Sequence, residues 1–566
     1  MSSKITRKDV IILAIMMILY SVIAFVNLGD RAAPETFWEN EDGRYVTVEF
    51  EENVDIEKIN IYNGRLSSDE EIHTLQIING GEITSTIDFA LESVFCWKSI
   101  DINAPADKLI LKVAGYIGEV TVCVANGRAA VPTAVTDENG NVVTELFDER
   151  GIYQPSFKNG TYFDEIYHAR TAYEHINGIE AYEWTHPPLG KLIIAVGIKI
   201  FGMNPFGWRV MGTLVGVLML PIMYAIAKGL FKNTAYAAFA TALLSFDFMH
   251  FTQTRIATID VYATFFIMLM YLFMYKFYEE NYNVSGVKKT FKYLAFAGIC
   301  FGLGVASKWT CVYAGAGLAV IFAVYMIKRF IEYRRYKTES YVKSTIKILL
   351  WCVLFFVIIP VLIYILSYLP YAFLDTNEFT FENIWRIQKN MFSYHSELVA
   401  SHDFSSKWYE WPLMTKPIWY HITRLPYDRI MTISAFGNPA IWWVGIPAVA
   451  GCLYYAVTDR KNAAVPVLLL IGYAAHYLPW AFVGRIVFIY HYFPSVPFVI
   501  LMITYAVKRI YERAKNKKAV VIGAEVYMLI VIALFVMFYP AISGAETTQD
   551  YVKSMLTWFN GWYIGG

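Results

Sequence analysis

The run Thr161–Lys191, TYFDEIYHARTAYEHINGIEAYEWTHPPLGK, sets two acids side by side at the start of a helical pattern. Ile166, Ala169, Tyr173 and Ile176 recur at spacings of three and four, which predicts one apolar helix face. Asp164, His168, Thr171 and His175 fall on another face, and Gly178 stands where a C-terminal cap belongs. A carboxylate at a helix N-terminus is favoured by the exposed N–H groups and the dipole, so Asp164 reads first as a cap. That reading uses one acid. It leaves Glu165, both histidines and the His186-Pro187-Pro188 turn without a role.

Working outward, the chain of 566 residues is 56% hydrophobic and 17% aromatic, with a mean hydropathy of +0.39. Soluble domains are about 45–50% apolar, so the excess points to a bilayer. Its 48 basic and 48 acidic residues cancel, and no global field argues for nucleic acid. The six cysteines show no metal-ligand spacing. Cys300, Cys311, Cys352 and Cys452 lie in apolar segments and read as core residues. Cys96 and Cys123 lie in the polar region and would be able to pair in an oxidising compartment.

In chain order, residues 1–30 hold a basic N-terminus (Lys4, Arg7, Lys8) and the uncharged run Val10–Gly29, whose twenty residues match a membrane span. Residues 31–158 alternate polar and β-branched residues. RYVTVEFEE, KINIYN, TLQII, KSIDI, KLILKV and EVTVCVA read as strands, with NGG, APAD and NGR as turns. At least six strands predict an inserted β-sandwich of jelly-roll type. Residues 159–208 hold the Asp-Glu loop and LGKLIIAVGIKIFG, fourteen residues that suit a helix lying on the membrane. Residues 209–370 carry spans near 210–229, 235–252, 257–275, 291–307, 309–327 and 347–369. A large loop, 371–439, precedes residues 440–566, with spans near 440–457, 464–481, 487–507 and 519–540 and a short C-terminal end. The expectation is an α-helical polytopic membrane protein of about eleven transmembrane helices.

Charge orients it. Lys228 and Lys232, Lys288, Lys289 and Lys292, the basic loop from Lys328 through Lys337 to Lys347, Arg460 and Lys461, and Lys508 to Lys518 all fall on the side of the N-terminus. The positive-inside rule makes that side cytoplasmic. The opposite, extracytoplasmic edge then collects the Asp-Glu run, FMHFTQTRIATID (His250, Arg255, Asp260), SKWT (Lys308, Trp309) and GRIVFIYHYFP (Arg485, His491). Singly, each basic group reads as snorkelling. Their convergence on one edge suggests a held anion, and a lipid phosphate suits Arg and Lys. Tyr394, Trp408 and the other aromatics of the large loop suit sugar stacking or an interfacial belt.

The Asp-Glu pair, ARTAYE, HPPLGK, RIATID, SKW, SYLPY, YHSELVASH, KWYEWPLM, KPIWYH, GNPAIWW and YHYFP together resemble the protein O-mannosyltransferase family, over roughly residues 160–500. The resemblance implies a GT-C-like membrane glycosyltransferase of prokaryotic type, with the β-rich insert as an addition. It implies inverting transfer of mannose from polyprenyl (dolichyl-type) phosphate mannose to Ser or Thr of proteins at the extracytoplasmic face of the cell membrane. Asp164 is then the base, and Glu165 the second acid that organises the site. Arg255 leads the phosphate ligands, with His186, Lys308, Arg485 and His491 behind it. Asp260, His168, Tyr394, His395, Trp408 and Glu410 are assigned to the acceptor or to structure. Family members often dimerise, so a homodimer is allowed. No dense ligand motif supports Mg²⁺ or Mn²⁺, and the expectation is transfer without a required cofactor. Two alternatives stay open: a glycan or lipid acceptor in place of the protein, and a sugar-lipid transporter, against which stands the lack of an internal repeat.

Overall fold

Alternation builds the first unit. Val46, Val48 and Phe50 are buried between more open neighbours, as one face of a pleated strand requires. The structure, a computed structural model, describes residues 4–40, 44–65, 72–124, 127–147, 151–336 and 341–565; Asn126 and Lys337, read above as turn and loop residues, and Ala125, at the end of a predicted strand, lie outside them. Eight strands form one antiparallel sheet: β1 (Trp38–Asn40), β2 (Tyr45–Asn63), β3 (Ile72–Asn79), β4 (Glu82–Ala90), β5 (Cys96–Lys112), β6 (Gly115–Val124), β7 (Arg128–Ala129) and β8 (Ala134–Asp137). Their order is β1-β6-β2-β5-β3-β4, with β7 on β6 and β8 on β2. The long strands β2 and β5 run through both ends of the sheet. Near Val46–Glu49, β2 lies between β5 and β8, and from Ile56 onward between β5 and β6. Val48, Ile61, Ile77, Leu111, Val122 and Val135 belong to one core, so both ends of the sheet pack over the same interior.

Two expectations change here. APAD is not a turn, because Ala104, Pro105 and Ala106 lie within β5 opposite Ile56, Asp55 and Val54 of β2. The strands also share one hydrogen-bonded sheet in place of the two separate sheets of a jelly roll. Asn79-Gly80-Gly81 is the turn its sequence predicts, with both glycines at positive φ. The domain's chain enters and leaves at one point, where the Asp30 N–H donates to the Lys158 carbonyl at 2.7 Å.

Cys96 and Cys123 do not pair. Cys96 stands opposite Asn63 and Cys123 opposite Lys58, on the two flanks of β2. Five residues along a strand is about 16 Å, whereas a disulfide needs Cα atoms within about 7 Å.

The second unit is helical. Ten helices of the described residues are long and apolar enough to cross a membrane: Arg7–Phe25, Pro205–Phe231, Asp260–Glu279, Val287–Ser307, Cys311–Tyr336, Tyr341–Phe373, Pro439–Thr458, Ala464–Phe482, Ile489–Arg513 and Lys517–Ser543. The segment expected as a continuous span over 235–252 is broken into a twelve-residue helix, Thr234–Ser245, and a short one, Phe248–Gln253. Asp247 makes the break. Its buried carboxylate accepts from the His250 N–H at 3.0 Å and the Trp442 indole at 2.9 Å, capping the second piece. The first helix opens with a Thr6/Asp9 capping box, and the same Asp9 carboxylate meets Lys228 at 2.9 Å and the Tyr224 hydroxyl at 2.7 Å. Gly298 and Gly302, four apart, let the helix Val287–Ser307 approach the backbone at Phe355 and Pro360, where any Cβ would collide. The loop 371–439 is folded: a helix Phe381–Glu397, a turn of helix at Trp408–Leu413, and a hairpin Ile418–Leu425/Arg429–Ala435 joined by Thr547–Thr548.

Both β-domain thiols are therefore expected to stay reduced. Denatured protein should take two more alkyl groups at Cys96 and Cys123 without prior reduction, and a mass showing neither free would contradict the register.

Candidate active site

The acidic loop belongs to the first unit. Phe163 adopts φ +49°, a left-handed turn that is costly for an aromatic residue. It brings the chain to Asp164 at the head of the helix Glu165–Asn177, and the Asp164 carbonyl accepts from the N–H groups of Tyr167 and His168 at 3.1 Å each. Asp164 is half-buried, while Glu165 is wholly buried. Glu165 binds Arg209 with both oxygens, Nε to Oε1 at 2.7 Å and Nη2 to Oε2 at 2.6 Å, and Trp208 donates to it at 3.2 Å. The remaining Arg209 donors go to the carbonyls of Leu28, Phe157 and Gly160. All five guanidinium N–H bonds are thus used, which is the condition for such a pair to survive burial. Glu165, expected as a catalytic acid, sits in an ion pair that positions the turn before the helix. His168 is buried on the same helix.

The second unit holds a cavity of about 540 Å³ lined by His186, Lys308, Trp309, His395, Trp480 and Arg485, among others. Lys308 is held by Asp260 at 2.7 and 2.9 Å. Arg485 has no ion pair among the described residues, so it brings uncompensated positive charge to the cavity. Glu183 accepts from His186 Nδ1 at 3.0 Å and from the Thr185 hydroxyl, and buried Lys191 bonds the Glu183 carboxylate and the His186 carbonyl. A carboxylate only accepts, so the proton of His186 is on Nδ1. The His395 Nε2–H donates to the Thr185 carbonyl at 2.8 Å, which leaves its buried Nδ1 lone pair without a partner among the described residues. Burial pushes the His395 imidazole down to about 4, with His186 adding to the effect. Burial likewise holds His186 below its ordinary value against the pull of Glu183. At neutral pH both rings are uncharged hydrogen-bonding groups.

The other expected residues lie elsewhere. Arg255, expected from the sequence to lead the phosphate ligands, has other work. Its buried guanidinium donates to the carbonyls of Ala24, Val26 and Ser543 at 3.0, 2.7 and 3.2 Å and packs on Phe251, so it clamps helix ends. Asp260 partners Lys308, not Arg255. His491 is stacked among Tyr490, Trp480 and Trp411 with its Nδ1 on the Phe488 backbone. Tyr394 packs against Trp184 and His395. Trp408 packs on Tyr477, and Glu410 accepts from the Lys407 N–H at 2.6 Å as a local cap. Sequence reasoning passed over Arg209, Glu183 and Lys191; an Arg at the head of an apolar run, FGWRV, was the available signal for the first.

Removing one partner of a buried pair leaves a bare charge, so Arg209→Ala should destabilise the folded protein by about 3–5 kcal/mol. Chemical denaturation in detergent would read this, and Arg209→Lys should recover only part because an ammonium lacks the fork. His395 gives a pH effect. Its folded value lies below that of the unfolded imidazole, so the unfolded chain binds more protons between about 6.5 and 4, and stability falls as pH drops through that window. The thermal midpoint of His395→Gln should therefore fall less between pH 7 and pH 5 than that of the wild type.

Residues 151–372 match the family model described as dolichyl-phosphate-mannose-protein mannosyltransferase, and residues 380–562 match the C-terminal four TMM region of protein-O-mannosyltransferase. A polyprenol-phosphate-mannose–protein mannosyltransferase of Mycobacterium tuberculosis is 26% identical over 458 residues, 71% of this chain and 86% of that protein. Its counterpart from Corynebacterium glutamicum is 27% identical over 428 residues, 67% and 81% of the two chains. Among solved structures, the S. cerevisiae protein O-mannosyltransferase Pmt1-Pmt2 complex bound to the sugar donor has a TM-score of 0.62 at 14% identity, over 71% of this chain and 89% of that one, a likeness of fold. The loop and the cavity thus lie within the two matched regions, and the chain belongs to the protein O-mannosyltransferase family, as a member of its prokaryotic type.

Proposed function

We propose that this protein transfers mannose from a polyprenyl phosphate carrier to Ser or Thr hydroxyls of proteins. The observation that carries the donor side is the cavity in which Arg485, without an ion pair among the described residues, stands with Lys308 and two neutral histidines. Unpaired positive charge beside neutral hydrogen-bonding groups and an indole suits a phosphate and the sugar attached to it. The names of the bacterial relatives support the same carrier and acceptor.

In this reading the acceptor oxygen bonds to the anomeric carbon from the face opposite the phosphate, and the bond from that carbon to the phosphate oxygen breaks. The hydroxyl proton passes to the Asp164 carboxylate. The lipid phosphate departs with its charge, stabilised by Arg485 and Lys308. Glu165 positions Asp164 and does not touch the reacting atoms. Arg255 has no step here. The excess of basic loop residues on the side of the N-terminus supports a cytoplasmic N-terminus and an active site at the extracytoplasmic face of the cell membrane.

Transfer from synthetic polyprenyl-phosphate mannose to a Ser/Thr-rich peptide tests the assignment. Asp164→Asn should lower kcat by roughly 10²-fold or more while the protein stays folded. Arg485→Ala should raise the KM for the donor by roughly tenfold or more, the worth of a charge-assisted hydrogen bond. Full activity in Asp164→Asn would sink the base, and unchanged KM in Arg485→Ala would sink the phosphate site.

A further inference from the structure

The first unit contains a cavity of about 600 Å³ that the transfer reaction does not use. One wall is the irregular segment Asp30–Pro34, another is Gly151–Tyr153, and Trp97 and Asn159 complete the lining. We propose that this cavity is a saccharide-binding site, taking a pyranose or a short oligosaccharide.

Its polar groups are fixed in place before any ligand arrives. The Asp30 N–H is tied to the Lys158 carbonyl at 2.7 Å and its carbonyl accepts from Phe206 at 3.0 Å. The Arg31 carbonyl accepts from Asn204 at 3.1 Å, and its guanidinium lies 4.5 Å from the Phe206 ring. The Tyr153 hydroxyl donates to Glu57 at 2.8 Å, with Lys58 4.4 Å from the ring centre. Asn159 is pinned by Ser156 and Gln154. A wall this rigid loses little entropy when a weak ligand binds.

The chemistry of the lining selects the ligand. Carboxylate, guanidinium and amide are planar groups that pair with vicinal hydroxyls, each of which both donates and accepts. Indole and phenol rings offer an apolar face to the C–H side of a pyranose. Trp97 is buried and lines the cavity, and its indole N–H has no acceptor among the described residues. Asp30 and Arg31 are exposed at its mouth. The volume is within the usual range for small-ligand sites, about 300–1,000 Å³. A peptide would instead seek apolar side-chain pockets, and Ala32, Ala33 and Gly151 supply none of depth.

The test uses the full chain in lipid nanodiscs, free of sugar-bearing detergent. Saturation-transfer NMR would follow methyl α-D-mannopyranoside and methyl β-D-glucopyranoside, with polyprenyl phosphate present in excess to occupy the cavity at Arg485. Binding of either glycoside should persist with the lipid phosphate and weaken tenfold or more in Trp97→Phe and in Arg31→Ala. Arg31 is exposed, so its variant decides alone if Trp97→Phe fails to fold. No transfer to either glycoside, binding displaced by the lipid phosphate, or binding equal in wild type and Arg31→Ala would overturn the proposal. So would a Ser/Thr-rich peptide that binds at Arg31 where the glycosides do not. The assignment stands or falls apart from the transferase assay, because no residue of the cavity takes part in the proposed step.

Discussion

A carboxylate and a guanidinium shut away from water are tolerable only when every donor and lone pair is met, and the Glu165–Arg209 pair meets that demand with five hydrogen bonds from one side chain. The geometry around it follows from this. Arg209 gathers the carbonyls of Leu28, Phe157 and Gly160, so the two stretches of chain that flank the β domain converge on one planar group. The turn through Phe163, unfavourable in itself, is held because the residues on either side are anchored. Asp164 owes its place at the helix start to the neighbour that cannot move. A half-buried acid and a wholly buried, ion-paired one stand next to each other, set apart by burial and by the guanidinium that only the second one meets.

Much of this was legible in the residues. The helix after Asp164 begins at Glu165 and ends at Asn177, with Gly178 at φ +65°, as the spacing of three and four and the cap implied. The Asn-Gly-Gly turn and most strands were legible too, because alternation and turn chemistry are local. What failed was non-local. The pairing of Glu165 with a residue 44 positions away leaves no trace in either segment. The continuity of β2 and β5 was hidden by Glu51-Glu52-Asn53 and by a proline, Pro105, residues that a bulged strand tolerates and a regular one does not. The span over 235–252 read as continuous because hydropathy does not register that Asp247 caps a second helix.

The basic residues make the same point. Arg255, Lys191, Lys308 and Arg485 look alike in sequence, each a cation at the margin of apolar chain. In the fold, three of them have their charge or donors engaged: Arg255 by helix-end carbonyls, Lys191 by Glu183, Lys308 by Asp260. Only the surroundings decide whether a cation is mortar or ligand. Position along the chain identifies where charge lies, and desolvation together with partner count identifies what it is for.

The hydrogen bond from Asp30 to Lys158 has a further meaning. A domain of well over a hundred residues begins and ends within a single hydrogen bond of itself, so the two flanking stretches of chain meet where it is inserted. A direct link from Asp30 to Lys158 would need no detour, and the matched family region opens at residue 151, close to that point. The β domain is therefore a cassette in architecture: it is inserted at one point, and it is also the bed on which the next loop rests, through the Thr161 N–H on the Phe95 carbonyl and the Tyr173 ring on Phe95.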